Sequence, residues 1–195
     1  MTNLFVKIKG YVGEFLFDFE HNFNSSGITV LYGSNGSGKS TIISCIAGFI
    51  HNLEIRIVLN NKIIENTKNF PPHKRPFGTM FQNPVLFEHM NVNQNLDFPI
   101  SRNKSFNKSL ISKEELIKQL ELSPLLKRYP QNLSGGEKLR VALARTILKQ
   151  SDYLLLDEPM SDLDIKTKAR ILIFLKMINK KFKDRKSTRQ NPVTA

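Results

Sequence analysis

A glycine-rich segment limits what this chain can fold into more than any other feature of its sequence. The segment reads Gly33-Ser34-Asn35-Gly36-Ser37-Gly38-Lys39-Ser40-Thr41 and matches the phosphate-binding loop pattern G-x-x-x-x-G-K-[ST]. Its glycines permit a tight turn in which successive backbone N–H groups point at one phosphate, and the dipole of a helix that begins there adds a favourable potential. Such a loop joins a buried strand to a helix, so we predict a strand at residues 28–32 and a helix at residues 39–50.

The distribution of apolar residues around this loop predicts an α/β fold. Period-two alternation or short apolar runs favour further strands at residues 4–9, 15–19, 53–59, 78–81 and 153–156. Helical spacing favours helices at residues 113–122, 134–150 and 166–182. Because strands alternate with helices, we expect a mostly parallel sheet, into which a polar helical block at residues 83–150 is inserted.

Two acidic residues, Asp157 and Glu158, follow the wholly apolar strand predicted at residues 153–156. In a parallel sheet, the carboxyl ends of the strands line the ligand crevice. A carboxylate at that place can hold Mg²⁺, and a neighbouring carboxylate can orient or deprotonate a water molecule. The alternative is that the pair is only the polar end of a strand, which the occurrence of a phosphate-binding loop in the same chain disfavours.

The segment Leu133-Ser134-Gly135-Gly136-Glu137 is the most specific of the motifs. A Ser-Gly-Gly turn that opens a helix offers a hydroxyl, bare backbone N–H groups and a helix N-terminus, which together can bind a second phosphate group. A chain with two such sites suggests that one of them serves the nucleotide of a partner. The alternative is an ordinary helix start, for which Ser134 and Glu137 would form an adequate capping box.

In this order, the three motifs resemble those of the ATP-binding cassette (ABC) ATPases, and the resemblance covers residues 3–183. It implies a P-loop NTPase (RecA-like) core with an N-terminal antiparallel β region and an inserted helical subdomain. The core would comprise residues 1–82 and 151–183, and the helical subdomain with the signature motif would comprise residues 83–150. Residues 184–195 would form an atypical polar tail.

The resemblance implies ATP and Mg²⁺ as cofactors and gives the motif residues their roles. ATP would be held by Gly33, Ser34, Asn35, Gly36, Ser37, Gly38, Lys39, Ser40 and Thr41. Magnesium would be held by Ser40, Gln82 and Asp157. Hydrolysis would use Glu158 as the catalytic carboxylate, together with Gln82 and Lys39.

A further aromatic residue and the cargo follow from the same resemblance. Tyr11 lies where the family places an aromatic side chain that stacks on adenine, and packing in the core or at the surface explains Tyr11 equally well. Within the family, residues 74–92 and 132–138 are most similar to importer ATPases, in particular those for molybdate, with other oxyanion and metal importers close behind.

The resemblance also implies partners. Two cassettes would pack head to tail, so that Ser134, Gly135 and Gly136 of one complete the ATP site of the other, and the loop at residues 161–164 would cross their interface. The region at residues 82–92 would face a membrane permease. The chain would then be a peripheral subunit at the cytoplasmic face of the inner or plasma membrane.

The sequence departs from the family pattern after residue 164. The family continues there with a helix, an apolar strand and a switch histidine near the γ-phosphate, whereas here a polar tail without either follows the helix. All four histidines precede the signature motif, namely His21, His51, His73 and His89. We therefore expect C-terminal strands of the core to be missing and hydrolysis to be impaired more than nucleotide binding. An alternative function is a non-hydrolysing nucleotide-binding remnant or regulatory module.

The net charge of +12 raises the question of nucleic-acid binding, but the distribution of the charge disfavours it. Residues 166–195 contain ten Lys or Arg and one acid, a surplus of nine, and the rest of the chain is close to balanced. Such a run indicates a solvated helix face more often than a surface for anionic lipid headgroups or nucleic acid. We therefore expect no nucleic-acid partner. The single cysteine, Cys45, excludes an internal disulfide.

Overall fold

The computed structural model of the chain describes residues 4–24, 27–66, 70–108, 110–161 and 163–190. The chain divides into two compact units, residues 1–77 and residues 78–195. The α/β class and the antiparallel β region at the N-terminal side are confirmed. The finer division into core, helical subdomain and tail stays a prediction.

The first unit is built on a four-stranded antiparallel sheet with the order β2-β1-β3-β4. Its strands are β1 (Leu4–Val12), β2 (Phe15–Phe23), β3 (Glu54–Leu59) and β4 (Lys62–Asn66). Alternation along β1 and β3 buries one face of the sheet, where Val6 pairs with Ile57 and Ile8 pairs with Ile55. β1 and β2 extend beyond the predicted limits because each supplies the hydrogen bonds of the other along the whole hairpin.

Helix α1 (Lys39–Ala47) follows the glycine-rich loop and ends three residues earlier than predicted. Gly48 stops the helix in a left-handed conformation, with φ of 88°. Beyond that point the buried Arg75 donates hydrogen bonds to the carbonyl oxygens of Cys45 and Ile46, at 3.0 and 2.9 Å. Because these terminal carbonyls have a donor, the helix can end inside the unit without leaving them unpaired.

The predicted strand at residues 28–32 does not form. Its apolar side chains are exposed instead of buried, to 53 % at Ile28, 76 % at Val30 and 99 % at Tyr32. A strand requires a neighbour that shares its hydrogen bonds, and the sheet described in the first unit ends at β2 and at β4 without this segment. The prediction of a buried strand ahead of the loop is therefore wrong for this unit.

The second unit combines helices with a short parallel pair of strands in its described residues. The strands are β5 (Phe77–Met80) and β6 (Tyr153–Leu156). The helices are α2 (Val92–Arg102), α3 (Lys113–Gln119), α4 (Gly135–Leu148) and α5 (Ile165–Gln190). One apolar core joins these elements and includes Leu96, Leu116, Leu143, Ile147, Leu148 and Phe174.

Helix α5 runs well past the predicted end at residue 182 and reaches Gln190. The apolar stripe that predicted the helix does end there, but the following residues are mostly Lys, Arg and Gln, which have high helix propensity, and Pro192 is the first proline after them. The last part of the predicted polar tail, residues 191–195, lies outside the described residues. No helix in the described part of the chain is long and apolar enough to cross a membrane.

Candidate nucleotide-binding site

The glycine-rich loop of the first unit turns tightly just before α1. Gly36 and Gly38 have φ values of 81° and 89°, which favour glycine, and the Ser37 N–H donates to the Ser34 carbonyl at 3.2 Å. Gly38 is the N-cap residue of α1 and, as a glycine, contributes no side-chain cap to the N–H groups of the first helical turn. These N–H groups and the helix dipole favour an external anion such as a phosphate.

Two glycines of the loop lie so close to neighbouring side chains that a Cβ atom would force those side chains to shift. A Cβ atom on Gly38 would lie 2.4 Å from the ring of Phe17, which is buried in β2. A Cβ atom on Gly33 would lie 2.8 Å from the hydroxyl oxygen of Ser37. The loop is thus packed on β2 through Gly38, while its turn is exposed at Ser34, Asn35 and Gly36. This cradle fits a phosphate chain that binds from the solvent side.

Lys39 places its charge at the loop. Its ammonium group donates to the carbonyl oxygens of Gly33 and Ser34, at 3.0 and 2.8 Å. Both acceptors are neutral, so the anionic oxygens of a phosphate would form stronger, charge-assisted hydrogen bonds with the same group. The next residue, Ser40, is exposed and carries the hydroxyl oxygen predicted to hold Mg²⁺.

Two exposed aromatic residues, Tyr11 and Phe15, lie on opposite faces of the hairpin formed by β1 and β2. Tyr11 is 65 % exposed and pairs with Leu16, whereas Gly10 pairs with Phe17 on the opposite face. Phe15 is on the face of Phe17, and the two rings make an edge contact at 6.2 Å between centroids. Because Phe17 touches the loop, Phe15 is a second candidate for adenine stacking. Sequence analysis missed it, although alternation along β2 places both rings on one face.

In the second unit, Asp157 and Glu158 leave β6 in different environments. Asp157 is 5 % exposed, and its N–H donates to the Met80 carbonyl of β5 at 2.9 Å. Glu158 is exposed and has a φ of 46°. The side-chain amide of Gln82 donates to one carboxylate oxygen of Glu158 at 2.9 Å. The structure thus brings together two of the three predicted catalytic residues, and the other carboxylate oxygen can accept a proton from water.

The Ser-Gly-Gly motif begins α4 as predicted for a helix start. The Ser134 hydroxyl accepts from the Glu137 N–H at 3.3 Å, and the Glu137 carboxylate accepts from the Ser134 N–H at 2.7 Å. This backbone hydrogen bond lowers the pKa of Glu137. A Cβ atom on Gly135 would have no atom within 4 Å. The capping box therefore forms, and the helix start around Gly135 is open for contact from outside.

The predicted interface loop at residues 161–164 is only partly described, since Asp162 lies outside the described residues. The Ser161 N–H donates to the Glu158 carbonyl at 3.2 Å. Asp164 accepts from the Thr167 N–H at 3.0 Å, and its hydrogen bonds with Thr167 lower the pKa of Asp164. The loop thus begins with a turn on Glu158 and ends by capping α5.

Arg75 is a supporting residue that no sequence pattern indicated. It is 2 % exposed, and besides holding the end of α1 it donates to the Phe70 carbonyl at 2.8 Å. A Cβ atom on Gly48 would lie 2.3 Å from its guanidinium nitrogen. The hydrogen bond from Arg75 to the Cys45 carbonyl joins residues that are thirty positions apart along the chain, so only the folded arrangement reveals it.

Comparisons with known proteins agree with this geometry. The family model described as ABC transporter matches residues 16–161 of the chain. The molybdenum import ATP-binding protein ModC of Vibrio vulnificus is 37 % identical over 185 residues, which are 93 % of this chain and 49 % of that protein. The ModC protein of Saccharophagus degradans is 42 % identical over 159 residues, 80 % of this chain and 43 % of that protein. The chain thus spans less than half the length of either relative.

A solved structure supports the fold. It is an ATP-binding cassette whose dimer was determined in a post-hydrolysis state with ADP and phosphate. It matches this chain with a TM-score of 0.72 and 26 % identity, and the match covers 92 % of this chain and 83 % of that one.

Proposed function

Because the chain belongs to the ABC transporter family, we propose that it binds and hydrolyses ATP as the nucleotide-binding subunit of an importer for molybdate or a related oxyanion. The proposal of ATP binding rests on the loop ahead of α1, where the N–H groups of the first helical turn and the Lys39 ammonium can bind phosphate. The cargo rests on the similarity to two proteins named for molybdenum import, at 37 % and 42 % identity.

Binding would begin at the loop ahead of α1. The N–H groups of the first helical turn would hold phosphate oxygens, and the Lys39 ammonium would exchange the Gly33 and Ser34 carbonyls for the β- and γ-phosphates. When bound, Mg²⁺ neutralises charge on the phosphates. Ser40, Gln82 and Asp157 carry the hydroxyl, amide and carboxylate oxygens that this ion prefers.

Glu158 would be the base or the orienting group for the attacking water. One oxygen of the Glu158 carboxylate accepts a hydrogen bond from the Gln82 amide, which restricts the Glu158 side chain. The other oxygen would accept a hydrogen bond or a proton from water. A non-glycine residue at a φ of 46° costs of order 1 kcal/mol. Strain at such a place is common where the orientation of a side chain serves a reaction.

A second cassette and a permease complete the proposal. Ser134, Gly135 and Gly136 of one copy would bind the nucleotide of the other, and the open start of α4 around Gly135 leaves room for it. The permease would bind at residues 82–92 and hold the chain at the cytoplasmic face of the membrane. No part of the proposal involves nucleic acid.

Phosphate release from Mg²⁺-ATP tests the proposed reaction. Glu158→Gln should slow release by about a hundredfold or more, since a positioned base contributes that much, and should leave ATP binding unchanged. Glu114→Gln on α3 is the matched control and should have the wild-type rate. If wild type and Glu158→Gln release phosphate equally at background level while ATP still binds, the chain is a non-hydrolysing nucleotide-binding module.

The cargo is tested separately, in vesicles that contain the chain and its permease. We expect ATP-dependent uptake of molybdate that sulfate inhibits weakly. Uptake of sulfate in preference to molybdate would contradict the cargo without affecting the proposed ATPase.

A further inference from the structure

Two polar side chains of the second unit are buried or partly buried where α2 and α4 meet the loop at residues 83–91. Asn95, in the first turn of α2, is fully buried, and Arg145 on α4 is partly buried. Neither belongs to the motifs that suggested the function. A buried amide or guanidinium is costly unless it is hydrogen-bonded, so the contacts of these two side chains indicate what they hold.

Asn95 holds the loop by its backbone. Its side-chain oxygen accepts from the Phe87 N–H at 2.9 Å, and its side-chain nitrogen donates to the Phe87 carbonyl at 3.1 Å. The same nitrogen donates to the carbonyls of Met90 and Asn91, at 3.0 and 3.1 Å. One side-chain amide thus supplies hydrogen bonds to four backbone groups of this irregular segment.

Arg145 attaches the same loop to α4. Its guanidinium donates to the side-chain oxygen of Asn95 at 3.2 Å and also to the carbonyl oxygen of Val85. It lies over the ring of Phe87, 4.9 Å from the centroid. Burial lowers the pKa of Arg145, and every one of these contacts partly offsets the lost hydration of its charge. Arginine suits this position because its planar guanidinium can donate to the Asn95 and Val85 oxygens while it lies over the Phe87 ring.

Gln82 lies between this anchored loop and an anchored strand. On one side, β5 ends at Met80, whose carbonyl accepts from the Asp157 N–H at 2.9 Å. On the other side, Val85 is held by Arg145. Only residues 81–84 lie between the two anchors, so the position of the Gln82 side chain, which donates to Glu158 at 2.9 Å, is restricted from both ends.

We propose that Arg145 and Asn95 are positioning residues for Gln82. They fasten the loop at residues 83–91 to α4, the helix that Ser134 caps, and thereby keep the Gln82 amide at Glu158. A displacement of α4 would move Gln82 with it. The effect on turnover rests on the proposed ATPase function, whereas the positioning itself is a property of the nucleotide-free chain.

The test uses the full chain with Arg145→Leu, Arg145→Lys and Asn95→Asp. Arg170→Leu is the matched control, because Arg170 is an exposed arginine of the same unit that pairs with Glu121 and not with the loop. Hydrogen exchange of the Phe87 and Met90 amides and the NMR resonances of the Gln82 side-chain amide are measured without nucleotide.

Arg145→Leu should accelerate exchange in the loop by about tenfold or more, and shift the Gln82 resonances, while amides in the middle of α4 stay protected. Arg145→Lys should restore part of the protection, since lysine can donate but lacks the planar guanidinium. Asn95→Asp keeps the oxygen that accepts from the Phe87 N–H but loses the donations to the Phe87, Met90 and Asn91 carbonyls, so it should accelerate exchange more at Met90 than at Phe87. The control should match wild type.

Unchanged loop exchange and unchanged Gln82 resonances in Arg145→Leu would overturn the proposal. An equal acceleration throughout α4 would also overturn it, because the residues would then only stabilise the unit. In turnover, Arg145→Leu should lower kcat at an unchanged KM for ATP, and a loosened loop with an unchanged kcat would contradict the role in the reaction. If wild type releases no phosphate, only the proposed ATPase activity is refuted. The hydrogen-exchange and NMR data still test whether Arg145 and Asn95 position Gln82.

Discussion

Gly38 and Gly135 both lie at the start of a helix, but the fold requires only one of them. Gly38 has a φ of 89°, and a Cβ atom there would meet the Phe17 ring at 2.4 Å. Gly135 is helical, and a Cβ atom there would have no atom within 4 Å. The first glycine is explained by the conformation and packing of the chain itself, whereas neither explains the second, which the proposed contact with a partner's nucleotide would.

Substitution by alanine should separate these two roles. Gly38→Ala should lower the free energy of unfolding by at least about 2 kcal/mol, from the left-handed backbone and the clash together. Gly135→Ala should change it by less than about 0.5 kcal/mol, because the site is open. Urea denaturation followed by circular dichroism measures both values. Equal losses for the two variants would contradict this explanation.

Tyr11 and Phe15 give a second comparison between single residues. If Tyr11 stacks on adenine, Tyr11→Ala should weaken ATP binding by about tenfold, and inorganic triphosphate binding should not change. Phe15→Ala is then the control and should bind ATP like wild type. Fluorescence titration with both ligands measures the affinities. The reverse result would place adenine on the face of the hairpin that carries Phe17.

The elements show which parts of the fold could be predicted from the sequence. The strand at residues 153–156 and the start of α1 at Lys39 agree with the structure, because an apolar run and a glycine-rich turn ahead of a helix are local properties. Whether residues 28–32 form a strand could not be predicted from that segment alone, since a strand needs a hydrogen-bonding partner strand elsewhere in the chain. The contacts of Asn95 and Arg145 with the loop also could not be predicted, because the two residues are fifty positions apart and no sequence pattern links them.

The start of α4 makes a prediction about pH. The pKa of Glu137 is lowered in the folded state, so its contribution to stability is complete above the ordinary value of 4.5 and is lost as pH falls through the folded pKa. Glu137→Gln should be less stable than wild type by about 1 kcal/mol at neutral pH, and this difference should shrink on acidification below the ordinary value. Urea denaturation across this range measures it. A constant difference would exclude the carboxylate as the cause.

At the scale of the whole molecule, the motifs are divided between two compact units. The phosphate-binding loop lies in residues 1–77, and Gln82, Ser134 and Glu158 lie in residues 78–195. The sequence was sufficient for the α/β class and the family, because these depend on patterns within short segments, whereas the roles of the motif residues stay predictions. Whether Tyr11 or Phe15 stacks on adenine stays a prediction, since the two rings lie on opposite faces of the hairpin.

The most direct test of the whole account is calorimetric titration of the chain with Mg²⁺ and a non-hydrolysable ATP analogue. We predict saturable binding that Lys39→Ala weakens at least about tenfold, because the ammonium group that lies at the loop is removed. Lys62→Ala, an exposed lysine of β4, is the control and should bind like wild type. Binding that is absent in wild type, or equally strong in Lys39→Ala, would contradict the account.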